Sequence, residues 1–262
     1  MTASDDLLVV ENLRIEYLSA RGGSCVVDDV SFRIKRGEIF GLAGESGSGK
    51  TTIGQGILRL LRPPAAITGG RVLLDGEDML AMDEARLRAV RWRKVSWVPQ
   101  SAMNALNPVL TVGEQLADVL EVHERLTRKA ALAAAVGLLD LVNIDKRRLD
   151  AYPHELSGGM RQRVVIAMAL ALKPPLVLMD EPTTALDVVV QREILGQIAR
   201  LQSTLGFSVL FITHDLSLMF ELCNRVGVLK GGKLVEHGVT REVFTNPQHS
   251  YTQELLRSVL YA

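Results

Sequence analysis

Gly44-Glu45-Ser46-Gly47-Ser48-Gly49-Lys50-Thr51-Thr52 matches the pattern G-x-x-x-x-G-K-[ST], a glycine-rich loop that feeds a helix. Ile39-Phe40-Gly41-Leu42-Ala43 before it is a short apolar run that predicts a buried strand. Thr52 to Arg62 after it carries apolar residues at Ile53, Ile57 and Leu61, the spacing of a helix face. A strand, a glycine loop and a helix in that order form a phosphate cradle. Glycine lets the backbone approach an anion closely, and the helix N-terminus adds partial positive charge. In that cradle Lys50 would reach the β- and γ-phosphates of a nucleotide, and the Thr51 hydroxyl would hold Mg²⁺.

The 262 residues suffice for one large α/β domain with an inserted subdomain. The 30 basic and 30 acidic residues cancel, so no bulk field draws the chain to nucleic acid or anionic lipid. No apolar run approaches the about 20 residues that a helix needs to span a bilayer. Met1-Thr2-Ala3-Ser4-Asp5-Asp6 is polar and acidic, unlike a signal peptide. Cys25 and Cys223 lack metal-ligand spacing, and two reduced, inert or buried thiols fit a cytosolic compartment.

Leu7 to Leu18 and Val26 to Ile34, separated by Arg21-Gly22-Gly23-Ser24, predict an antiparallel strand pair. Arg71 to Leu74 and Val95 to Val98 predict two further strands. From Thr111 the pattern turns helical, over Thr111 to Glu124 and Arg128 to Leu139, with no strand signal until the helix after Ser157. Strands at Leu176 to Met179, Phe207 to Ile212, Val226 to Leu229 and Lys233 to Glu236 then enclose a helix over Asp187 to Thr204. Arg241 to Phe244 and Tyr251 to Leu260 predict peripheral helices. The expected fold is α/β, a mostly parallel sheet with an antiparallel β subdomain and an inserted helical subdomain. The chain reads as a single domain over residues 1–262. Its core covers 1–100 and 166–238, the helical subdomain 101–165, and the helical tail 239–262.

Asp180-Glu181 closes the apolar strand at Met179. Ligands in open α/β sheets sit beyond the carboxyl ends of strands, so these acids are expected to face the phosphate loop. Asp180 would hold Mg²⁺, and Glu181 would polarise the attacking water or accept its proton. His214 also ends a strand. Such a histidine is either a structural side chain or, beside the Asp180 strand, one aimed at the γ-phosphate. Gln100 follows a strand directly and offers amide donors and a carbonyl oxygen. In Leu156-Ser157-Gly158-Gly159-Met160-Arg161-Gln162, Ser157 suits a helix cap, yet a cap does not need two glycines. Bare backbone at a helix start is a second anion site, without a lysine, and points to sites shared by two chains.

In these motifs and their order the chain resembles the ATP-binding subunit of an ABC transporter. The resemblance identifies Gly44 to Thr51 as Walker A, Gln100 as the Q-loop glutamine and Leu156 to Gln162 as the signature. It makes Leu176 to Asp180, followed by Glu181, Walker B; Ala185-Leu186-Asp187 the D-loop; His214 the switch histidine; and Tyr17 an adenine-stacking aromatic. It implies Glu181, His214 and Gln100 as catalytic residues, with Thr51, Gln100 and Asp180 around Mg²⁺. It implies ATP held by Tyr17, Gly44, Ser46, Gly47, Ser48, Gly49, Lys50, Thr51 and Thr52. Ser157, Gly158, Gly159, Gln162 and Asp187 would complete the site across a head-to-tail dimer.

Ser101 to Pro108, Glu181 to Gln191 and Asn246 to Thr252 are similar to the dipeptide, oligopeptide and nickel importer branch. Ser250 replaces a proline usual there, and the chain ends at Ala262 without the cysteine-bearing tail of many peptide importers. Two cysteines cannot supply the four ligands of an iron–sulfur cluster. The resemblance implies a peripheral ATPase on the cytoplasmic face of the inner membrane. Its partners would be a second, different ABC subunit, two permeases and an extracytoplasmic substrate-binding protein, with no nucleic acid. Nickel or oligosaccharide uptake is the alternative cargo. A soluble ABC ATPase acting on ribosomes or DNA, or a non-hydrolysing regulatory cassette, is the alternative class.

Overall fold

A computed structural model describes residues 5–19, 22–100, 105–184 and 186–260. Met1-Thr2-Ala3-Ser4, Arg21, Ser101-Ala102-Met103-Asn104, Ala185 and Ala262 therefore lie outside the described residues. The first elements are β1 (Asp6–Tyr17), β2 (Ser24–Lys35), β3 (Ile39–Ala43), α1 (Lys50–Ile57), β4 (Ala65–Leu74), β5 (Glu77–Asp78) and α2 (Glu84–Val90). Then come β6 (Val95–Val98), α3 (Val112–Glu124), α4 (Arg128–Leu141), α5 (Gly158–Leu170), β7 (Leu176–Asp180) and α6 (Val188–Leu205). The chain continues through β8 (Ser208–Ile212), α7 (Leu216–Leu222), β9 (Arg225–Lys230), β10 (Lys233–Val239), α8 (Thr240–Thr245) and α9 (Ser250–Leu260).

One compact unit comprises the described residues of Met1–Ala89 and Ser208–Ala262. Within it β2, β1, β4 and β5 form a four-stranded antiparallel sheet. Leu8 pairs with Ile34 on one side and Leu74 on the other. Leu8, Val10, Leu13, Ile15, Val27, Val30, Ile34 and Val72 are all buried, as alternation on a half-covered sheet requires. β3 lies between β8 and β9 and runs parallel to both, while β10 returns antiparallel to β9. β3 and β8 are buried at every residue, which explains their unbroken apolar sequence.

The other unit is Val90–Phe207. Here β6 pairs parallel with β7, and α3 packs on α4. Thr111 and Glu114 form a capping box at the start of α3. Ala131 and Ala135 of α4 are fully buried, so the alanine run supplies close helix approach as well as helix propensity.

Two boundaries differ most from the sequence expectation. The helix over Thr52 to Arg62 stops at Ile57, because Arg59 adopts φ 51° and Leu60 N–H returns to Gln55 O at 2.8 Å. That is a Schellman ending with arginine in place of the usual glycine. The Arg59 guanidinium donates to the carbonyls of Met79 and Met82. The strand expected at Arg71 begins instead at Ala65 and runs through Gly69-Gly70. Gly70 has φ 91° and sits where the β1–β4 register shifts between Glu11 and Arg14. It is a bulge glycine.

A Cβ on Gly70 would lie 2.5 Å from Asn12 O and 2.6 Å from Glu11 O, whereas one on Gly76, also at positive φ, meets nothing within 4 Å. Gly70→Ala is expected to cost about 3 kcal/mol and Gly76→Ala about 1 kcal/mol. Thermal unfolding checks the difference; equal shifts in Tm for the two variants would contradict the bulge assignment.

Candidate functional site

The end of β3 delivers the chain into the phosphate loop of the first unit. Gly44 has φ 147°, and a Cβ there would lie 2.3 Å from Leu229 O and 2.8 Å from Ser48 Oγ. No side chain fits, and the closeness of β9 fixes where the loop starts. Glu45, Ser46 and Gly47 form an exposed rim, while Gly44, Ser48, Gly49 and Lys50 form a buried floor. The Ser48 carbonyl accepts Gly232 N–H at 3.1 Å, which ties the floor to the β9–β10 turn.

Lys50 folds back into the loop. Its Nζ donates to Gly44 O at 2.7 Å and Glu45 O at 2.8 Å, and lies 3.4 Å from Ser48 Oγ. Only 5% of the residue is exposed. The helix behind it is also set for an anion. At the start of α3, α4, α5, α6 and α7 the side chains of Thr111, Thr127, Ser157, Asp187 and Asp215 each accept a backbone N–H of the first turn. α1 opens on Gly49, with no side-chain cap and no acidic residue in its first turn. Thr51 and Thr52 in that turn are half-buried. Tyr17 ends β1 at 39% exposure, and His214 beyond β8 is exposed.

The second unit brings Gln100 and Glu181 together. Gln100 Nε2 donates to Glu181 Oε2 at 2.8 Å, and Thr184 Oγ1 donates to the same oxygen at 3.0 Å. Glu181 holds φ 45°, a left-handed conformation costly for a residue with a Cβ. Asp180, at the end of β7, is 1% exposed. From the sequence Gln100 was a residue following a strand; its bond to Glu181 appears only in three dimensions.

Ser157 caps α5, its Oγ accepting Met160 N–H at 3.3 Å, and Asp187 caps α6 through Val189 and Val190 N–H at 3.1 and 3.0 Å. One of the two signature glycines has a packing reason. A Cβ on Gly159 would lie 2.6 Å from Val190 Cγ1, so the helices could not approach. Ser157 and Gly159 stand beside an open cavity of about 400 Å³ that Arg148, Arg163 and Asp145 also line. Hydrogen bonds from Arg147 hold the Asp145 carboxyl down at about 2. Gln162, one turn into α5, is 3% exposed, unlike exposed Ser157.

An uncapped helix behind a lysine loop, an Asp-Glu strand end and a serine–glycine helix start are the parts of an ATP-binding cassette. The family described as ABC transporter matches residues 27–184. The chain belongs to this family. The peptidoglycan transport ATP-binding protein YejF of Agrobacterium fabrum is 47% identical over 97% of this chain, and the chain spans 47% of that relative. The oligopeptide transport ATP-binding protein OppD of Bacillus subtilis is 42% identical over 97% of this chain and 72% of its own length. Among solved structures, a dimeric ATP-binding cassette in a post-hydrolysis state bound to ADP and Pi superposes with TM-score 0.79 at 30% identity. It covers 89% of this chain and 99% of that one. CbiO1 from Clostridium perfringens gives 0.79 at 27% identity, covering 98% and 96%. The α/β cassette fold expected from the sequence is thus the fold of the molecule. No helix among the described residues is long and apolar enough to cross a membrane.

Lys50→Ala is expected to weaken ATP binding at least 100-fold (about 2.7 kcal/mol), because the loop loses its buried cation. Isothermal titration checks this; near-native affinity would contradict the loop as the nucleotide site.

Proposed function

We propose that the chain is the ATP-hydrolysing subunit of an importer, driving peptide uptake across the cytoplasmic membrane from its cytoplasmic face. The observation that carries hydrolysis is the Glu181 carboxylate, held by Gln100 and Thr184 in a backbone conformation that costs energy. Peptide cargo is supported by identities of 42% to relatives named for oligopeptide and dipeptide transport.

In this reading Lys50 exchanges its loop carbonyls for β- and γ-phosphate oxygens of ATP. Gly44, Ser46, Gly47, Ser48, Gly49, Thr51 and Thr52 surround those phosphates, and Tyr17 stacks on the adenine. The hydroxyl of Thr51, the carboxylate of Asp180 and the amide oxygen of Gln100 are hard oxygen donors suited to Mg²⁺. That ion would offset the negative charge that develops on the phosphates. Glu181 accepts the proton of the attacking water as its oxygen bonds to the γ-phosphorus and the bond to the β–γ bridging oxygen breaks. His214 orients the γ-phosphate. The products are ADP and phosphate.

Ser157, Gly158, Gly159, Gln162 and Asp187 complete the site of a second, related cassette in a head-to-tail pair. The backbone N-terminus of α5 behind Ser157 supports an anion arriving there from outside the chain. The pair docks on two permease subunits served by an extracytoplasmic substrate-binding protein. Residues 101–165 act as the helical subdomain of that docking.

Glu181→Gln is expected to bind MgATP with near-native affinity and to hydrolyse it at least 100-fold more slowly, since an amide cannot take the proton. Single-turnover hydrolysis checks this; a rate within tenfold of the parent, about 1.4 kcal/mol, would remove Glu181 as the principal base. Ser157→Arg is expected to spare ATP binding by this chain's own loop while blocking hydrolysis at the shared site of a reconstituted complex. Intact ATPase and transport in that variant would contradict the shared site.

A further inference from the structure

The segment Asn246 to Thr252 has no part in the nucleotide chemistry above, yet the fold binds it to the phosphate loop. Glu236 on β10 accepts the backbone N–H of Gln248 at 2.7 Å and of His249 at 3.0 Å, fixing the entry to α9. Burial pushes the Glu236 carboxyl up, and these N–H bonds help to more than reverse it, holding the group ionised and accepting. His249 Nδ1 accepts Tyr251 N–H at 3.1 Å. These contacts aim Tyr251 inward, where it is 2% exposed. Its hydroxyl accepts the N–H of Glu45 at 3.3 Å, and its ring lies 4.4 Å beneath the ammonium of Lys230, at the end of β9.

The Glu45 N–H belongs to the same peptide unit as the Gly44 carbonyl, and that carbonyl holds the Lys50 ammonium at 2.7 Å. One peptide plane is therefore gripped at both ends, by Lys50 on its oxygen and by Tyr251 on its nitrogen. Rotation of this plane would break both bonds and turn the loop's first carbonyl away from the lysine. Burial raises the Tyr251 phenol above its ordinary range; the Glu45 N–H bond opposes this and the Glu45 carboxylate reinforces it. The hydroxyl stays protonated at neutral pH.

We propose that Tyr251 is a positioning residue for the phosphate loop, orienting the Gly44–Glu45 peptide so that Lys50 is presented to an incoming phosphate. The tail helix that carries it is thereby part of the nucleotide-binding apparatus. This rests on the nucleotide reading of the loop only for its effect on affinity; its effect on the loop itself is independent. A tail displaced from its seat by a partner would loosen the same peptide.

The test is Tyr251→Phe in the full chain, which keeps the ring under Lys230 and removes only the hydroxyl. In nucleotide-free protein, amide exchange at Glu45 followed by NMR should accelerate at least tenfold, with Tm within about 2 °C of the parent. The Kd for ATP should rise about three- to tenfold, the range expected for one hydrogen bond. Unchanged Glu45 exchange overturns the proposal, as does a loss of affinity that merely tracks a fall in Tm. If Glu45 exchange accelerates while neither parent nor variant binds ATP, the positioning of the loop stands and the nucleotide reading falls.

Discussion

The ammonium of Lys50 is the interaction on which the phosphate site depends. Lys50 as a whole is 5% exposed, and its ammonium lies within 2.8 Å of two backbone carbonyls of its own loop. Removing a cation from water costs several kcal/mol unless dipoles or a counter-charge replace its hydration. The carbonyls of Gly44 and Glu45 supply dipoles, and a phosphate supplies full counter-charge. The loop is thus built around a cation that several anionic oxygens suit best.

Holding that loop demands much of the surrounding chain. Gly44 passes so close to Leu229 O that only glycine fits, so the position of β9 sets the loop's first residue. β9 itself is fixed by its parallel register with β3, where Gly41 pairs with Val226 and Ala43 with Val228. The β9–β10 turn reaches the floor through Gly232, and α9 reaches the rim through Tyr251. Strand, turn and tail helix converge on the seven residues Gly44 to Lys50. The second unit spends comparable effort on Glu181, which keeps φ 45° with two donors on one oxygen.

Much of this was legible in the sequence because the signals are local. An unbroken apolar run predicts a strand covered on both faces, and β3, β7 and β8 are buried at every position. Thr111 with Glu114 and Ser157 before two glycines mark helix starts by chemistry that acts within one turn. What failed depends on distant partners. The strand expected at Arg71 starts six residues earlier, because Gly70 is a bulge required by the backbone of β1. Arg59 ends α1 without a glycine signal, its side chain engaged with carbonyls beyond β5. Gly159 reads as a purely functional glycine, but Val190, on another helix, needs the space. Tyr251 was recognisable as part of a tail motif, and nothing in its spacing tells that its hydroxyl would meet Glu45, 206 residues away.

The most direct test is a crystal structure of the chain with a non-hydrolysable ATP analogue and Mg²⁺. Lys50 Nζ is expected to leave Gly44 O and Glu45 O and to lie within about 3 Å of β- and γ-phosphate oxygens. N–H groups of the α1 N-terminus are expected to be directed at the same phosphates. An analogue bound away from this loop, or bound there while Lys50 keeps its carbonyl partners, would contradict the loop as the nucleotide site.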